Sequence, residues 1–130
     1  MLSALALSLA LACAKPAPQE HEPPRINPAI IEAIIGVESG GDHRAIGSGP
    51  PGAAPVGLCQ IMPSTGRSLG YTREELLDPV KNREAAEKYL VMLLDQFGDL
   101  TLALQAYNCG TAKYMEPKCR AYARRILGRL

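Results

Sequence analysis

The sequence predicts an all-α fold, with room for at most a small hairpin. Three observations lead to this prediction. Apolar residues recur at helical spacing in several segments, and Gly and Pro separate those segments. No alternating apolar and polar pattern of useful length appears, which argues against a sheet. The chain has 130 residues, enough for one compact domain.

Composition excludes several classes of protein. Hydrophobic residues make up 47% and charged residues 21% of the chain, so intrinsic disorder is not expected. The net charge of +1 gives no global field that would attract a polyanion. Trp is absent and Phe occurs once, so an aliphatic core of Leu, Ile, Val and Ala is expected.

Residues 1–14 are interpreted as a signal peptide. They carry no charged side chain, and their apolar stretch is too short to cross a bilayer as a helix. Ala12 and Ala14 resemble a small-residue cleavage site, although no Lys or Arg precedes the stretch. Lipid attachment at Cys13 and a buried N-terminal helix are the alternatives. The protein is therefore expected to be exported, to the periplasm or the cell wall.

Residues 15–25 are rich in proline and are predicted to form a linker, which leaves a domain over residues 26–130. Cysteines can pair outside the cytoplasm. Without Cys13, three remain, so one thiol is left over. Our hypothesis pairs Cys109 with Cys119, which are close in sequence, and leaves Cys59 free.

The first half of the domain is predicted to begin with a helix. Asn27 is a good N-cap and Pro28 is tolerated at the first helical position. This helix is predicted to run through Glu38 and to end at two glycines. Residues 42–57 form a loop, the place where a small hairpin can fit. A short helix is predicted to follow Pro63.

The second half is predicted to contain three helices. Thr72 to Glu75 matches a capping box, and Asp78 begins the longest helix, which Gly98 ends. Asp99 caps the next helix, which continues to Asn108. Residues 120–127 form a final helix. Six basic residues against Glu116 alone make the last twenty residues a basic edge.

Glu38 is the sharpest functional signal in the sequence. At 100° per residue it lies on the same face as Ile31 and Ile34, whereas Glu32 points away from that face. Burial and the negative end of the helix dipole would both raise the pKa of the Glu38 carboxyl, as a general acid requires. Alternatively, the frayed helix end lets Glu38 reach solvent or pair with Arg44.

Three motifs in order resemble the Slt-type lytic transglycosylases, a lysozyme-like family that cleaves peptidoglycan. They are the pair Glu38 and Ser39, the run Gly57-Leu58-Cys59-Gln60, and the run Ala106-Tyr107-Asn108-Cys109-Gly110. The helix that begins at Asp78 also looks like the long central helix of that family. The resemblance covers residues 26 to about 110. Cys59 and Cys109 depart from it, since the family usually has Met and Ala there.

The resemblance implies a lysozyme-like helical domain and a lytic transglycosylase activity. One glutamate, here Glu38, would protonate the bond between N-acetylmuramic acid and N-acetylglucosamine. It would then act as a base for the muramic 6-hydroxyl, giving a 1,6-anhydro product. Alternatives are a hydrolase similar to goose-type lysozyme and a non-catalytic glycan-binding component of a secretion or pilus machine.

Five further residues are candidates for substrate binding. Gln60 can donate and accept hydrogen bonds, and Tyr107 offers a hydroxyl and a ring face. Their alternative roles are structural, with Tyr107 packed against Leu104. For Asn108 a helix cap is favoured over a substrate contact. Ser39 positions Glu38 or ends the helix, and Ser48 is matched with a family serine that contacts the substrate.

No cofactor or metal is expected. His21 and His43 both fall in predicted loops, without ligands at a suitable spacing. The expected partner is the peptidoglycan glycan strand. By resemblance, small members of the family often serve secretion, pilus, conjugation or phage-infection machines. The basic edge is interpreted mainly as a solvated helix face, with weak attraction to the peptide carboxylates of peptidoglycan as the functional alternative.

Overall fold

A computed structural model describes residues 26–130, and this part of the chain is helical, as the sequence predicts. Its elements are α1 (Pro28–Glu38), α2 (Pro63–Ser68), a 3-10 turn (Glu75–Leu77), α3 (Pro79–Phe97), α4 (Leu100–Cys109) and α5 (Pro117–Leu127). The predicted signal peptide and linker lie outside the described residues. Within residues 26–130, no helix is both long enough and apolar enough to cross a membrane.

Side-chain caps fix the starts of three helices where the sequence predicts them. Asn27 accepts a hydrogen bond from the Ala29 amide, and Asp99 accepts one from the Leu102 amide. Asp78 accepts from two amides at the start of α3. Each cap satisfies backbone donors that have no partner inside the helix, so these boundaries are encoded locally.

Two predictions about local structure are corrected. The last helix begins at Pro117, three residues before the predicted start, because proline is favoured in the first helical turn. The hairpin considered for residues 42–57 does not form strands. Val56 makes isolated antiparallel bridges with Ile46 and Ile61 and holds the loop together.

The core is mainly aliphatic, as expected from the composition, but it also contains buried tyrosine rings; it lies where α3, α4 and α5 pack side by side. Leu90 and Leu93 of α3 and Leu104 of α4 are fully buried. α1 packs across this group against α5 and α3, and its Ile31 and Ile34 are also fully buried. The end of α1 is thereby fixed against α5, which positions Glu38.

A disulfide joins Cys109 at the end of α4 to Cys119 in α5, which confirms the predicted pairing. Cys59 is left as a buried free thiol. The bond closes a loop of ten residues between two helices that pack against each other.

Replacing both Cys109 and Cys119 with Ala is expected to lower the free energy of unfolding by about 2–4 kcal/mol, because the unfolded chain regains freedom. Urea unfolding without reductant measures the loss. Reductant should lower the midpoint of the wild-type protein toward that of the double variant and leave the variant unchanged. A wild-type midpoint that does not respond to reductant would contradict this expectation.

Candidate active site

Glu38 is the last residue of α1 and is half-buried, on the same side of the helix as the buried Ile31 and Ile34. Burial disfavours the carboxylate and raises the pKa of Glu38 above its ordinary value of 4.5. The carboxyl group is therefore held toward its protonated form, as the helical periodicity predicts.

Two side chains of α5 moderate the pKa of Glu38. The Tyr122 hydroxyl and the positive charge of Arg125 each lower that pKa, but burial has the larger effect. The distance and angles between the Tyr122 hydroxyl and the Glu38 carboxyl do not meet the criteria for a hydrogen bond. The buried Tyr122 hydroxyl has no hydrogen-bond partner among the described residues. These neighbours replace Arg44, the partner considered from the sequence.

A cavity of about 310 Å³ is lined in part by Tyr107, which stacks on Tyr122. Its size falls at the lower end of the range for small-molecule sites. Glu38 is not part of its lining. Burial raises the pKa of the Tyr107 hydroxyl, and the charges of Cys59, Tyr122 and Glu38 raise it further, in that order. The lining comprises Gln60, Ile61, Met62, Thr65, Tyr89, Tyr107, Asn108, Cys109 and Gly110.

Three tyrosines form a row that leads from the cavity toward Glu38. The Tyr89 and Tyr107 ring centroids are 5.3 Å apart, and Tyr107 stacks on Tyr122 at 6.4 Å. Such spacings are typical of favourable aromatic pairs. The Tyr107 hydroxyl donates a 2.9 Å hydrogen bond to the Cys59 carbonyl, so that proton is already used inside the protein.

Gln60 lines the cavity and also holds the preceding loop. Its side-chain amide donates to the carbonyl oxygens of Ala45 and Gly57, each at 3.1 Å. Its backbone has a φ of 51°, and it is the one non-glycine residue among those described with a positive φ. Because strained residues concentrate at functional sites, Gln60 stays a candidate, with its side-chain donors committed to the loop.

Asn82 fixes the Gly57–Gln60 turn from α3. It is fully buried, and its Oδ1 accepts from the Cys59 amide at 2.8 Å. Its Nδ2 donates to the carbonyl oxygens of Val56 and Leu76 at 2.9 and 2.8 Å. A side chain at residue 57 would overlap Asn82 and the Leu76 carbonyl, which explains why Gly57 is required there.

The remaining sequence candidates occupy different positions. Ser39 ends α1: its hydroxyl accepts from the Gly41 amide and donates to the Ile35 carbonyl. Asn108 is exposed and lines the cavity, and Gly110 rather than Asn108 caps α4. Ser48 is exposed in the loop and is not part of the cavity lining.

Sequence reasoning missed Tyr122, Asn82 and Tyr89 as site residues. A signal for Tyr122 was present, since it shares the buried face of α5 with Cys119 and Ile126. Tyr122 is a residue with a polar group on the apolar face of a helix, and the same pattern identified Glu38. Asn82 gave no comparable signal because its partners lie 23 and 26 residues earlier in the chain.

Among residues 26–130, no second carboxyl group contributes to the shift in the pKa of Glu38. Asp78 and Asp99 serve as helix caps, as the sequence predicts, and Asp42 accepts from the Arg44 amide in the loop. Glu32 forms a surface ion pair with Arg83. Among residues 26–130, no group of His, Cys, Asp and Glu side chains is placed to hold a metal ion.

The raised pKa of Glu38 makes stability depend on pH. A raised pKa in the folded state contributes stability below the ordinary value of 4.5, and this contribution is lost as pH rises through the raised value. Glu38→Gln removes the buried charge, so the difference in melting temperature between variant and wild type should grow with pH. Calorimetry from pH 4 to pH 8 measures it, and a constant difference would contradict the burial argument.

Comparisons with known proteins agree on one family. The model of a protein family described as "Transglycosylase SLT domain" matches residues 16–127. A protein of Enterobacteria phage PRD1 named "Transglycosylase" is 35% identical over 86 residues. That alignment covers 66% of this chain but 30% of the phage protein, so the chain spans less than a third of that relative's length.

Proposed function

Because the chain belongs to the transglycosylase SLT domain family, we propose that it cleaves peptidoglycan strands as a lytic transglycosylase. The bond is the one between N-acetylmuramic acid and N-acetylglucosamine, and the product carries 1,6-anhydromuramic acid. The name of the phage relative supports glycosyl transfer as the reaction type.

The observation that carries the proposal is the half-buried carboxyl of Glu38, which a row of three tyrosines links to a cavity. A general acid must hold a proton at the working pH, and burial raises the pKa of Glu38 in that direction. The cavity has room for a sugar ring, and its lining includes the half-buried Tyr89, whose aromatic ring is a suitable surface for a sugar.

Glu38 serves twice in the proposed mechanism. Its proton passes to the glycosidic oxygen as the bond from that oxygen to C1 breaks, and the N-acetylglucosamine hydroxyl leaves. The Glu38 carboxylate then takes the proton of the muramic 6-hydroxyl as O6 bonds to C1. The carboxyl group returns to its starting state and no water is consumed.

An intramolecular nucleophile fits the finding that, among residues 26–130, no second carboxyl group contributes to the Glu38 pKa. Glycosidases that use water usually place two carboxylates around the bond. Here the groups that moderate the Glu38 pKa are Tyr122 and Arg125. The 6-hydroxyl belongs to the same sugar as C1, so its effective concentration is high without a second carboxylate to orient it.

We assign supporting roles to the surrounding residues. Tyr122 and Arg125 stabilise the Glu38 carboxylate between the two steps, because each favours its charged form. Gln60 and Ser39 hold the loop and the helix end beside Glu38. Asn108 is the exposed polar residue of the cavity lining and is proposed to contact the sugar.

An exported location is part of the proposal, since peptidoglycan lies outside the cytoplasm. The disulfide between Cys109 and Cys119 supports it, because such bonds persist in oxidising compartments. The phage relative supports a role in a phage-related machine among the envelope machines considered above.

Digestion of purified sacculi tests the proposal. Mass analysis should find released muropeptides with anhydro ends, lighter by one water than the corresponding reducing ends. Reducing muramic ends would instead support a hydrolase similar to goose-type lysozyme. Binding to sacculi without release of muropeptides would support a glycan-binding component, and either result would contradict a lytic transglycosylase.

A further inference from the structure

A second cavity, of about 460 Å³, lies beside α2 and is lined by two arginines. Arg67 comes from α2, and Arg73 comes from the turn that follows it. Gly70, Tyr71, Thr72 and Glu74 complete the lining. We call this space the arginine cavity.

The two arginine side chains have no partners among the described residues. The Nε of Arg73 is buried without a hydrogen-bond partner, and Arg67 is exposed and takes part in none of the ion pairs. Two other arginines do have partners: Arg83 pairs with Glu32, and Arg120 donates to the Met115 carbonyl. Two guanidinium groups that line one cavity without a carboxylate partner in residues 26–130 are available to bind an anion.

The chemistry of the cavity favours an anion. A guanidinium group carries five N–H donors and no acceptor, and it matches the two oxygens of a carboxylate. Glu74 also lines the cavity and takes part in no ion pair among the described residues. With two arginines and one glutamate, the lining carries a net charge of +1. One acceptor group with a single negative charge would balance it.

Tyr71, which lines the arginine cavity, is fixed by internal contacts. Tyr71 is buried, its amide donates to the Gly66 carbonyl at 2.8 Å, and its hydroxyl donates to Glu84 at 3.4 Å. Lys88 lies over its ring, 4.8 Å from the centroid. A lining residue that is already fixed lowers the entropy cost of binding.

One short helix, α2, contributes residues to both the arginine cavity and the tyrosine-lined cavity. Thr65 of α2 lines the latter and Arg67, two residues later, lines the former. Two residues on a helix differ by about 200°, so these side chains leave opposite sides of α2. A substituent of a sugar bound in the first cavity needs to pass over a single helix to reach the second.

We propose that the arginine cavity binds a carboxylate of the peptide attached to muramic acid in the glycan strand. The inference rests on the proposed function, which supplies peptidoglycan as the substrate. It adds that the enzyme selects strands that carry peptides over bare strands, through Arg67 and Arg73.

Kinetics on three soluble substrates test the inference: strands with peptides, strands with amidated peptide carboxylates, and strands stripped of peptides. Arg67→Gln, Arg73→Gln and the double variant are compared with Arg124→Gln, which removes the same charge from an exposed site on α5. The double variant should raise KM about tenfold on peptide-bearing strands, with kcat unchanged, as expected for one charged hydrogen-bonding pair. All variants should match wild type on stripped and on amidated strands.

Three results would overturn the inference. The first is a wild-type enzyme that cleaves peptide-bearing and stripped strands with equal KM. The second is an effect of Arg124→Gln as large as that of Arg67→Gln, which indicates diffuse attraction to the basic edge. The third is a fall in kcat on all substrates. Arg67 is exposed, so Arg67→Gln keeps the test valid if Arg73→Gln impairs folding, which circular dichroism detects.

Failure of the proposed function gives a different result. In that case the wild-type protein forms no anhydro ends on any of the three substrates. A normal anhydro product from stripped strands, together with unchanged KM in Arg67→Gln on peptide-bearing strands, would reject the arginine cavity alone.

Discussion

Glu38→Gln is expected to reduce the rate of peptidoglycan cleavage by at least about 100-fold, and up to about 10,000-fold, the usual contribution of general acid–base catalysis. Gln keeps the size of the side chain and can still form hydrogen bonds, but its amide group is not acidic and cannot act as a general acid. The half-buried site and its raised pKa are the reasons why Glu38 is placed in this role. Turbidity clearing of purified peptidoglycan measures the rate.

Glu32→Gln is the matched control. It removes a carboxylate from the same helix, but Glu32 is exposed and pairs with Arg83 at the surface. Its activity should stay near that of wild type. Glu32 is exposed, and the loss of a surface ion pair changes stability little, so the variant remains folded. Full activity of Glu38→Gln, or an equal loss in Glu32→Gln, would reject the assignment of the acid. Sacculus binding by Glu38→Gln separates recognition from catalysis.

Asn82→Ala is expected to lower the free energy of unfolding by about 3 kcal/mol or more. The change deletes three hydrogen bonds from a fully buried side chain. It leaves the Cys59 amide and the carbonyls of Val56 and Leu76 without partners, and each buried unsatisfied group costs about 1–3 kcal/mol. Urea unfolding followed by circular dichroism measures the difference.

The control for Asn82→Ala is Gln96→Ala, an exposed position on the same helix, for which little change is expected. Asn82→Ala should also lower activity at temperatures where the variant is folded. The Cys59 amide that Asn82 holds belongs to the same residue whose carbonyl anchors the Tyr107 hydroxyl. A variant that is as stable and as active as Gln96→Ala would contradict this account of the turn.

Local signals were enough to predict the helices. Asn27, Asp78 and Asp99 cap helices because their side chains bond to amides two or three residues later. Such interactions depend on neighbouring residues and can be recognised in a single sequence. The position of Glu38 on an apolar stripe has the same origin, since helical periodicity is also a local property.

Contacts between distant segments were not predictable in the same way. Tyr107 bonds to a carbonyl 48 residues earlier, and Gln60 bonds to one 15 residues earlier. Sequence reasoning assigned the polar groups of both side chains to the substrate. The structure uses Nε2 of Gln60 and the hydroxyl proton of Tyr107 to hold the site together, so substrate contact through those donors stays a prediction.

The two departures from the family pattern have different structural explanations. Cys109 replaces the usual Ala because it forms the disulfide with Cys119, which fastens α4 to the helix that carries Tyr122. Cys59 replaces the usual Met as a fully buried thiol, and burial raises the pKa of that thiol to about 12. Cys59 is therefore an inert core residue at neutral pH.

Digestion of sacculi in ¹⁸O-labelled water tests the central claim most directly. If Glu38 acts alone and the muramic 6-hydroxyl attacks C1, the new muramyl ends will be anhydro and will contain no ¹⁸O. One ¹⁸O atom at each new muramyl end would show that water attacks C1, and it would contradict the single-carboxylate mechanism.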